Sequence, residues 1–244
     1  MSSGNEAPAG LTWRRHQVAA FDAVQADQRR KRWRARPLRS WVVMPPGSGK
    51  TYVGLGFARL AREATEATVV VLVPTTAVQA QWVEAAADLG MEASTDRSFA
   101  APVTVLTFQT VAQLVPPTEE PPPDPAVDPE GDPVEMPEEI DGIADAEIGA
   151  RLHENGSDLV ARLTERSPLL VILDEAHHLL EAWGSLLVET LVHLSNASVV
   201  ALTGTPRDGL GGDQRAALDE HFGATAYEAS TTELVRQGDL APYL

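Results

Sequence analysis

Residues 40–51 read SWVVMPPGSGKT. An apolar run from Trp41 to Met44 passes through a Pro/Gly turn into Gly49-Lys50-Thr51, which opens a helical stretch. Strand, glycine loop and helix in that order form a phosphate-binding loop. The glycines let backbone N–H groups close around an anion, and the helix N-terminus adds its dipole. Gly47, Ser48 and Gly49 form the cradle, Lys50 reaches the β- and γ-phosphates, and the Thr51 hydroxyl holds Mg²⁺. Met44 stands where the strict motif has its first glycine, but the Gly47-x-Gly49-Lys50-Thr51 core is intact.

This loop needs a buried parallel strand on one side and a helix on the other, and the chain supplies more of both. Residues 68–73 (TVVVLV), 169–173 (LLVIL) and 198–202 (SVVAL) are apolar runs, the pattern of strands covered on both faces, and 103–108 reads as a further strand. Helical stretches separate them: 11–28, 50–63, 75–89, 109–115, 185–194, 214–222 and 231–237. A further helix over 140–166 is split at Asn155-Gly156, 209–213 is a flexible loop, and 226–228 is a weaker strand. Trp82 falls on a helix and reads as core, not ligand. Strands alternating with helices predict an α/β fold, a parallel sheet with helices on both faces.

The formal net charge is −16. Residues 116–150 hold 12 Asp or Glu and no Lys or Arg, which leaves −4 for everything else, so the acidity says little about the folded surface. Residues 116–137 contain nine prolines and too few apolar groups to form a core. We read 116–150 as an exposed acidic, Pro-rich, largely disordered insertion, a plain surface loop before a nucleic-acid mimic or partner tail. Residues 1–10 read as a disordered leader. The basic run 29–36 (RRKRWRAR) reads as a solvated helix end or, as the alternative, a patch for nucleic acid or an acidic partner. Cysteine is absent, which excludes disulfides and thiolate metal sites. No apolar run approaches the ~20 residues of a membrane span. The expectation is a soluble, cytoplasmic, intracellular chain with no membrane partner.

Asp174-Glu175 at the end of the 169–173 strand supplies the second half of an NTPase site. Asp174 can share the Mg²⁺ with Thr51, and Glu175 can orient or deprotonate an attacking water.

Six motifs then follow one another in a recognisable order. Trp13-Arg14-Arg15-His16-Gln17 comes first, then 44–51. Val73-Pro74-Thr75-Thr76 with Gln81-Trp82 is third, and Val105-Leu106-Thr107-Phe108-Gln109-Thr110 fourth. Asp174-Glu175-Ala176-His177-His178 and Leu202-Thr203-Gly204-Thr205-Pro206 complete the set. The set resembles the first RecA-like domain of a superfamily 2 helicase or translocase of the DEAD/DEAH-box type. Within it, the type III restriction-enzyme subunits and DNA repair helicases are most similar. The tail, with Gly238, Leu240, Pro242 and Tyr243, resembles the segment that leads to that family's second domain.

The resemblance implies a RecA-like domain over residues 11–244, interrupted by the insertion, that uses ATP and Mg²⁺. It implies that Gln17 reads the adenine edge and that His177 joins Lys50, Asp174 and Glu175 in the catalytic set. Pro74, Thr75, Thr76, Thr107 and Gln109 would touch nucleic acid, DNA ahead of RNA. Thr203, Gly204 and Thr205 would couple the two sites. No second RecA-like domain is expected within these 244 residues. It would come from the same chain or a partner subunit, and alone this chain would be a slow ATP hydrolase. A stand-alone ATP-dependent switch or subunit of a split motor is the alternative. An AAA+ ATPase is a further one, disfavoured by the 124 residues from Lys50 to Asp174, by Gln17 and by the Thr203–Pro206 motif.

Overall fold

The computed structural model describes residues 12–32, 38–111, 154–177, 194 and 197–241. The expected leader and insertion, the expected helix at 185–194 except its last residue, residues 33–36 of the basic run, and His178, Pro242 and Tyr243 lie outside them.

Seven strands form one sheet: β1 (Arg39–Val43), β2 (Thr68–Val73), β3 (Ala93–Ser94), β4 (Val103–Thr107), β5 (Leu169–Leu173), β6 (Ser198–Thr203) and β7 (Thr225–Glu228). Their order across the sheet is β3-β4-β2-β5-β6-β1-β7, and every pairing is parallel. The apolar runs β2, β4, β5 and β6 lie inside the sheet and are covered on both sides, as continuous hydrophobicity requires.

Alternate residues of each strand sort into two cores. Val42, Val69, Val71, Val105, Ile172 and Leu202 point to one face, where they meet α1 (Arg15–Arg32), α2 (Lys50–Thr65) and α3 (Thr76–Asp88). Trp41, Val70, Leu72, Val171, Leu173 and Val199 point to the other. There Phe108 of α4 (Phe108–Val111), Leu159 and Leu163 of α5 (Glu154–Thr164), and Leu218 of α6 (Gly212–His221) cover them. α7 (Thr231–Arg236) closes the described chain and buries Leu234 on the first face.

Several expectations need correction. α1 spans Arg15–Arg32, so the first basic residues lie on a helix, where Arg29 and Arg30 are exposed. α5 runs through Asn155-Gly156 without a break. The intrinsic cost of Asn and Gly in a helix is at most about 1 kcal/mol each, and burial of Leu159 and Leu163 against the sheet offsets it. The expected flexible loop at 209–213 is partly ordered, a 3₁₀ turn over Arg207–Gly209 followed by the start of α6 at Gly212. The two-residue strand β3 is too short to leave a periodic signal.

The helical face is tightly packed around Phe21, whose ring stands edge-on to Trp13 and to Phe57 with both centroid separations 5.1 Å. Gly56 on α2 lies beneath it, and a Cβ there would come 2.4 Å from Phe21 Cζ. Gly→Ala inside a helix normally gains ~1 kcal/mol. Here the ring has no room to retreat, and overpacking costs about 1–3 kcal/mol. Gly56→Ala is therefore expected to lower the urea midpoint. A raised midpoint would show that the ring can move aside.

Candidate nucleotide site and its flanking surface

The C-terminal ends of the strands lie along one edge of the sheet, and their order there assembles the motifs. β6 separates β1 from β5, so the 203–205 loop sits between the glycine loop after β1 and Asp174-Glu175 after β5. β2 and β4, followed by Pro74–Thr76 and Phe108-Gln109, are neighbours on the other side of β5.

The glycine loop is pinned at its root, where the Met44 N–H donates to the Thr203 carbonyl at 2.8 Å. Ser48 closes the turn by donating its N–H at 3.2 Å and its hydroxyl at 2.6 Å to the Pro45 carbonyl. Gly47 and Gly49 have φ of +76° and +85°, the left-handed region where a side chain is strained. At Gly49 space is also forbidden, since a Cβ would come 2.5 Å from Gln17 Nε2. Gly49 caps α2 without a side-chain hydrogen bond, which leaves the first N–H groups of that helix available to an anion.

Gln17 is buried against this loop. Its Oε1 accepts from the Arg14 N–H at 2.9 Å, and its Nε2 donates to the Ser48 carbonyl at 3.4 Å. His16 adds a link with no sequence-level signal. Its Nε2 lies 2.8 Å from the same carbonyl, and its Nδ1 lies 3.2 Å from Asp239 Oδ2, a residue 223 positions away. Leu240 packs beside Gly47, within 3.4 Å of where its Cβ would be. A cleft of about 390 Å³ opens here, lined by Thr12, Trp13, Arg14, Gln17, Gly47, Gly49 and Tyr52. A larger cavity of about 460 Å³ is lined by Leu38, Phe57, Pro168 and other mainly apolar residues at the opposite end of the strands; none of the sequence-predicted site residues lines it.

The glycine loop after β1 and the Asp174-Glu175 pair after β5 meet through charge. Lys50 Nζ lies 3.1 Å from Glu175 Oε1. His177 Nδ1 lies 3.4 Å from Glu175 Oε2 and 3.0 Å from the Thr203 hydroxyl, which also accepts the Thr205 N–H at 3.0 Å. A Cβ on Gly204 would stand 3.5 Å from Lys50 Nζ, so the 203–205 loop backs the lysine. Glu175 has φ of +48°, unusual for a residue with a side chain. Thr51 sits half-buried in the first turn of α2.

Asp174 is buried at the end of β5. Its N–H continues the ladder to the Leu72 carbonyl at 2.9 Å, and its Oδ1 accepts from the Glu175 N–H at 3.0 Å. Its Oδ2 accepts from the Trp82 indole N–H at 2.7 Å. Trp82 is fully buried, as expected of a core residue, and this polar contact was not legible in the sequence.

On the flank, Thr75 and Thr76 are exposed and Pro74 is half-buried. Thr75 caps α3, its hydroxyl accepting from Val78 N–H at 3.2 Å. Gln109 is exposed. Thr107 is buried and turned inward, its hydroxyl 2.9 Å from that of Thr110.

The sequence model for the type III restriction enzyme res subunit matches residues 10–208. The chain belongs to this family. Among curated proteins no sequence matches it. Three solved structures share the res-subunit fold at low identity. The UvsW helicase from bacteriophage T4 is 18% identical, with TM-score 0.51 over 91% of this chain and 63% of that one. The Sulfolobus solfataricus SWI2/SNF2 ATPase core, solved with dsDNA, is 13% identical, with TM-score 0.51 over 88% and 36%. The type ISP restriction-modification enzyme LlaGI, solved as a nuclease-deletion mutant with a DNA substrate mimic, is 13% identical, with TM-score 0.53 over 94% and 21%. This chain thus spans less than two thirds of each of these proteins. Fold and family together make it a superfamily 2 helicase ATPase domain, with a RecA-like sheet. Among the described residues no helix is long and apolar enough to cross a membrane.

Burial pushes the Asp174 carboxyl above its ordinary 3.8; the Trp82 bond pulls it back, Glu175 pushes it further up, and Lys50 and the Glu175 N–H pull it down. An acid whose folded-state value is raised binds its proton more tightly in the native state. Stability is therefore lost as pH rises from 3.8 through the raised value. Asp174→Asn removes the buried charge, but the two N–H donors sit on separate carboxylate oxygens, so the variant's one amide oxygen meets only one of them and its NH₂ faces the other. The pH dependence should therefore be lost with the carboxyl: the melting temperature of Asp174→Asn relative to the parent should rise as pH rises from 3.8 through the raised value. Melting scans across pH check this, and a difference that stays constant with pH would contradict it.

Proposed function

We propose that this chain is the ATP-binding N-terminal motor domain of a superfamily 2 helicase or translocase. It acts on nucleic acid, DNA ahead of RNA, once a second RecA-like domain is supplied by the same chain or a partner subunit. The observation that carries this reading is the Lys50–Glu175 pair, 3.1 Å between the glycine loop's lysine and the motif after β5, beside a helix N-terminus with no side-chain cap.

The residues present fit ATP and Mg²⁺. Gly47 and Gly49 adopt backbone that opens the loop to phosphate oxygens, and the free N–H groups of α2 point the same way. Gln17 spends one acceptor position on Arg14 and one donor on Ser48. Its second N–H and second lone pair remain, which is the pair an adenine edge asks for. Thr51 and Asp174 would hold the cation, which would neutralise developing phosphate charge.

In this arrangement Lys50 spends its charge on Glu175. On meeting phosphate, Lys50 exchanges that partner, and Glu175 is released to accept a proton from water. His177, between Glu175 and Thr203, would report that exchange to the 203–205 coupling loop. Thr203 and Thr205 are themselves linked, so a shift at His177 reaches the loop backbone.

Nucleic acid would lie over the C-terminal ends of β2 and β4, gripped by the exposed Pro74–Thr76 and Gln109 through backbone and hydroxyl contacts to phosphate. Thr107 takes part as the cap that shapes this ledge, since its own hydroxyl is engaged by Thr110. The DNA named for two of the similar structures supports DNA over RNA. Residues 116–150 form an insertion within the 11–244 domain.

Lys50→Ala should remove nucleotide-dependent thermal stabilisation; because it also breaks an ion pair whose lysine is 10% exposed, the effect is read against the variant's own apo melting temperature. Glu175→Gln should keep ATP binding and abolish turnover in the two-domain assembly, since an amide cannot accept the proton. Arginines supplied in trans typically add about 10³–10⁵ in rate, so single-turnover hydrolysis by this chain alone should be slow. Unchanged ATP binding in Lys50→Ala would contradict the site. Rapid hydrolysis by the chain alone, independent of its concentration, would contradict the need for a second domain.

A further inference from the structure

Trp82 lies on α3, a helix that begins at the proposed nucleic-acid ledge and contributes no residue to the glycine loop. Its ring is fully buried in the core shared by α2, α3 and the sheet, a place where a tryptophan needs no polar role. Yet its N–H is aimed at the Asp174 carboxylate, at 2.7 Å.

Two features separate this contact from chance. The first is an internal comparison. The indole nitrogens of Trp13 and Trp41 are also buried, and they have no hydrogen-bond partner among the described residues. Among the described residues, therefore, not every buried indole is satisfied, and the Trp82 indole, which is, meets a candidate cation ligand. The second is that the ring is held. A Cβ on Gly54 would stand 2.3 Å from Trp82 Cη2 and 3.0 Å from Leu202 Cδ1. Gly54 belongs to α2, the helix whose first turn carries Lys50 and Thr51, and Leu202 to β6 beside the coupling loop. The missing side chain at 54 is the space in which the indole sits.

A carboxylate rotates readily about its Cβ–Cγ bond, a broad torsion. The Asp174 group is held by one donor on each oxygen, the neighbouring Glu175 N–H on Oδ1 and the indole on Oδ2. The backbone donor belongs to the next residue and moves with the same turn. The indole comes from a separate element and fixes the plane against the rest of the domain. Outer donors of this kind orient ligating side chains, and their loss commonly weakens metal binding about 10–100-fold.

We propose that Trp82 is a positioning residue for the divalent cation: its indole N–H sets the rotation of the Asp174 carboxylate that would hold Mg²⁺, and Gly54 exists to admit the ring. The inference rests on the reading of Asp174 as a cation ligand. It also gives α3 a mechanical role, since one helix spans the ledge at Thr75 and the carboxylate at Asp174.

The test uses the full chain, a fluorescent N-methylanthraniloyl ATP, and titration with Mg²⁺ or with EDTA. Trp82→Phe retains an aromatic ring and removes the donor. The expected result is unchanged nucleotide binding in EDTA and an Mg²⁺ requirement raised by about 10–100-fold. The same position carrying benzothienylalanine, which keeps the bicyclic shape and lacks the N–H, should behave alike. It decides the matter if the Phe variant fails to fold. A parental Mg²⁺ requirement in a folded variant overturns the role of Trp82 and leaves the nucleotide site standing. Equal weakening with and without Mg²⁺ also overturns it, because lost packing alone would act on both. If the parent chain binds nucleotide with no Mg²⁺ dependence, the cation reading of Asp174 falls and this inference falls with it.

Discussion

Val43 faces Thr203 across β1 and β6, and Leu173 faces Ala201 across β5 and β6. These two registers bring three strand ends to within two residues of one another, and the rest of the site follows from that alignment. A slip of one residue in β1 would move every side chain to the other face of the sheet and break the Met44–Thr203 hydrogen bond at the root of the glycine loop. The alignment is secured by the covering on both faces. Trp41 and Val43 belong to one core and Val42 to the other, so neither face admits the wrong set.

The same alignment concentrates groups that cost stability. Asp174 is a carboxylate at 4% exposure, held up from its ordinary range by burial. Lys50 is nearly as enclosed, with its side chain 10% exposed. Glu175 adopts a backbone conformation that a residue with a side chain seldom takes. The ion pair between Lys50 and Glu175 offsets part of this while the lysine has no phosphate to meet. The structure is consistent with a resting site whose own residues compensate one another until a highly charged ligand replaces one partner. The link from Asp239 through His16 to the Ser48 carbonyl adds a hold on the loop from the far end of the described chain.

Much of this was legible in the sequence because the signals were local. The apolar runs at 68–73 and 169–173 coincide with β2 and β5 to the residue, since a strand buried on both faces needs continuous hydrophobicity. The α/β parallel fold and the resemblance to res-subunit helicases followed from the order of strands and motifs, and both hold. What escaped was non-local or masked by turn chemistry. Nothing near Trp82 in sequence announces a carboxylate 92 positions away, and nothing near His16 announces Asp239. Asn155-Gly156 read as a break because glycine disfavours helix interiors, but burial of Leu159 and Leu163 on the same helix outweighs that local cost. Thr107 read as a contact residue, whereas its hydroxyl is engaged by Thr110 three residues on.

The account turns on one exchange, in which Lys50 leaves Glu175 for phosphate. A crystal structure of this chain with Mg²⁺ and a non-hydrolysable ATP analogue tests it directly. The account predicts Lys50 Nζ on the phosphate oxygens and separated from Glu175, the cation between Thr51 and Asp174, and the base beside Gln17. Nucleotide bound away from the glycine loop, with the Lys50–Glu175 contact still at about its present 3.1 Å, would contradict it.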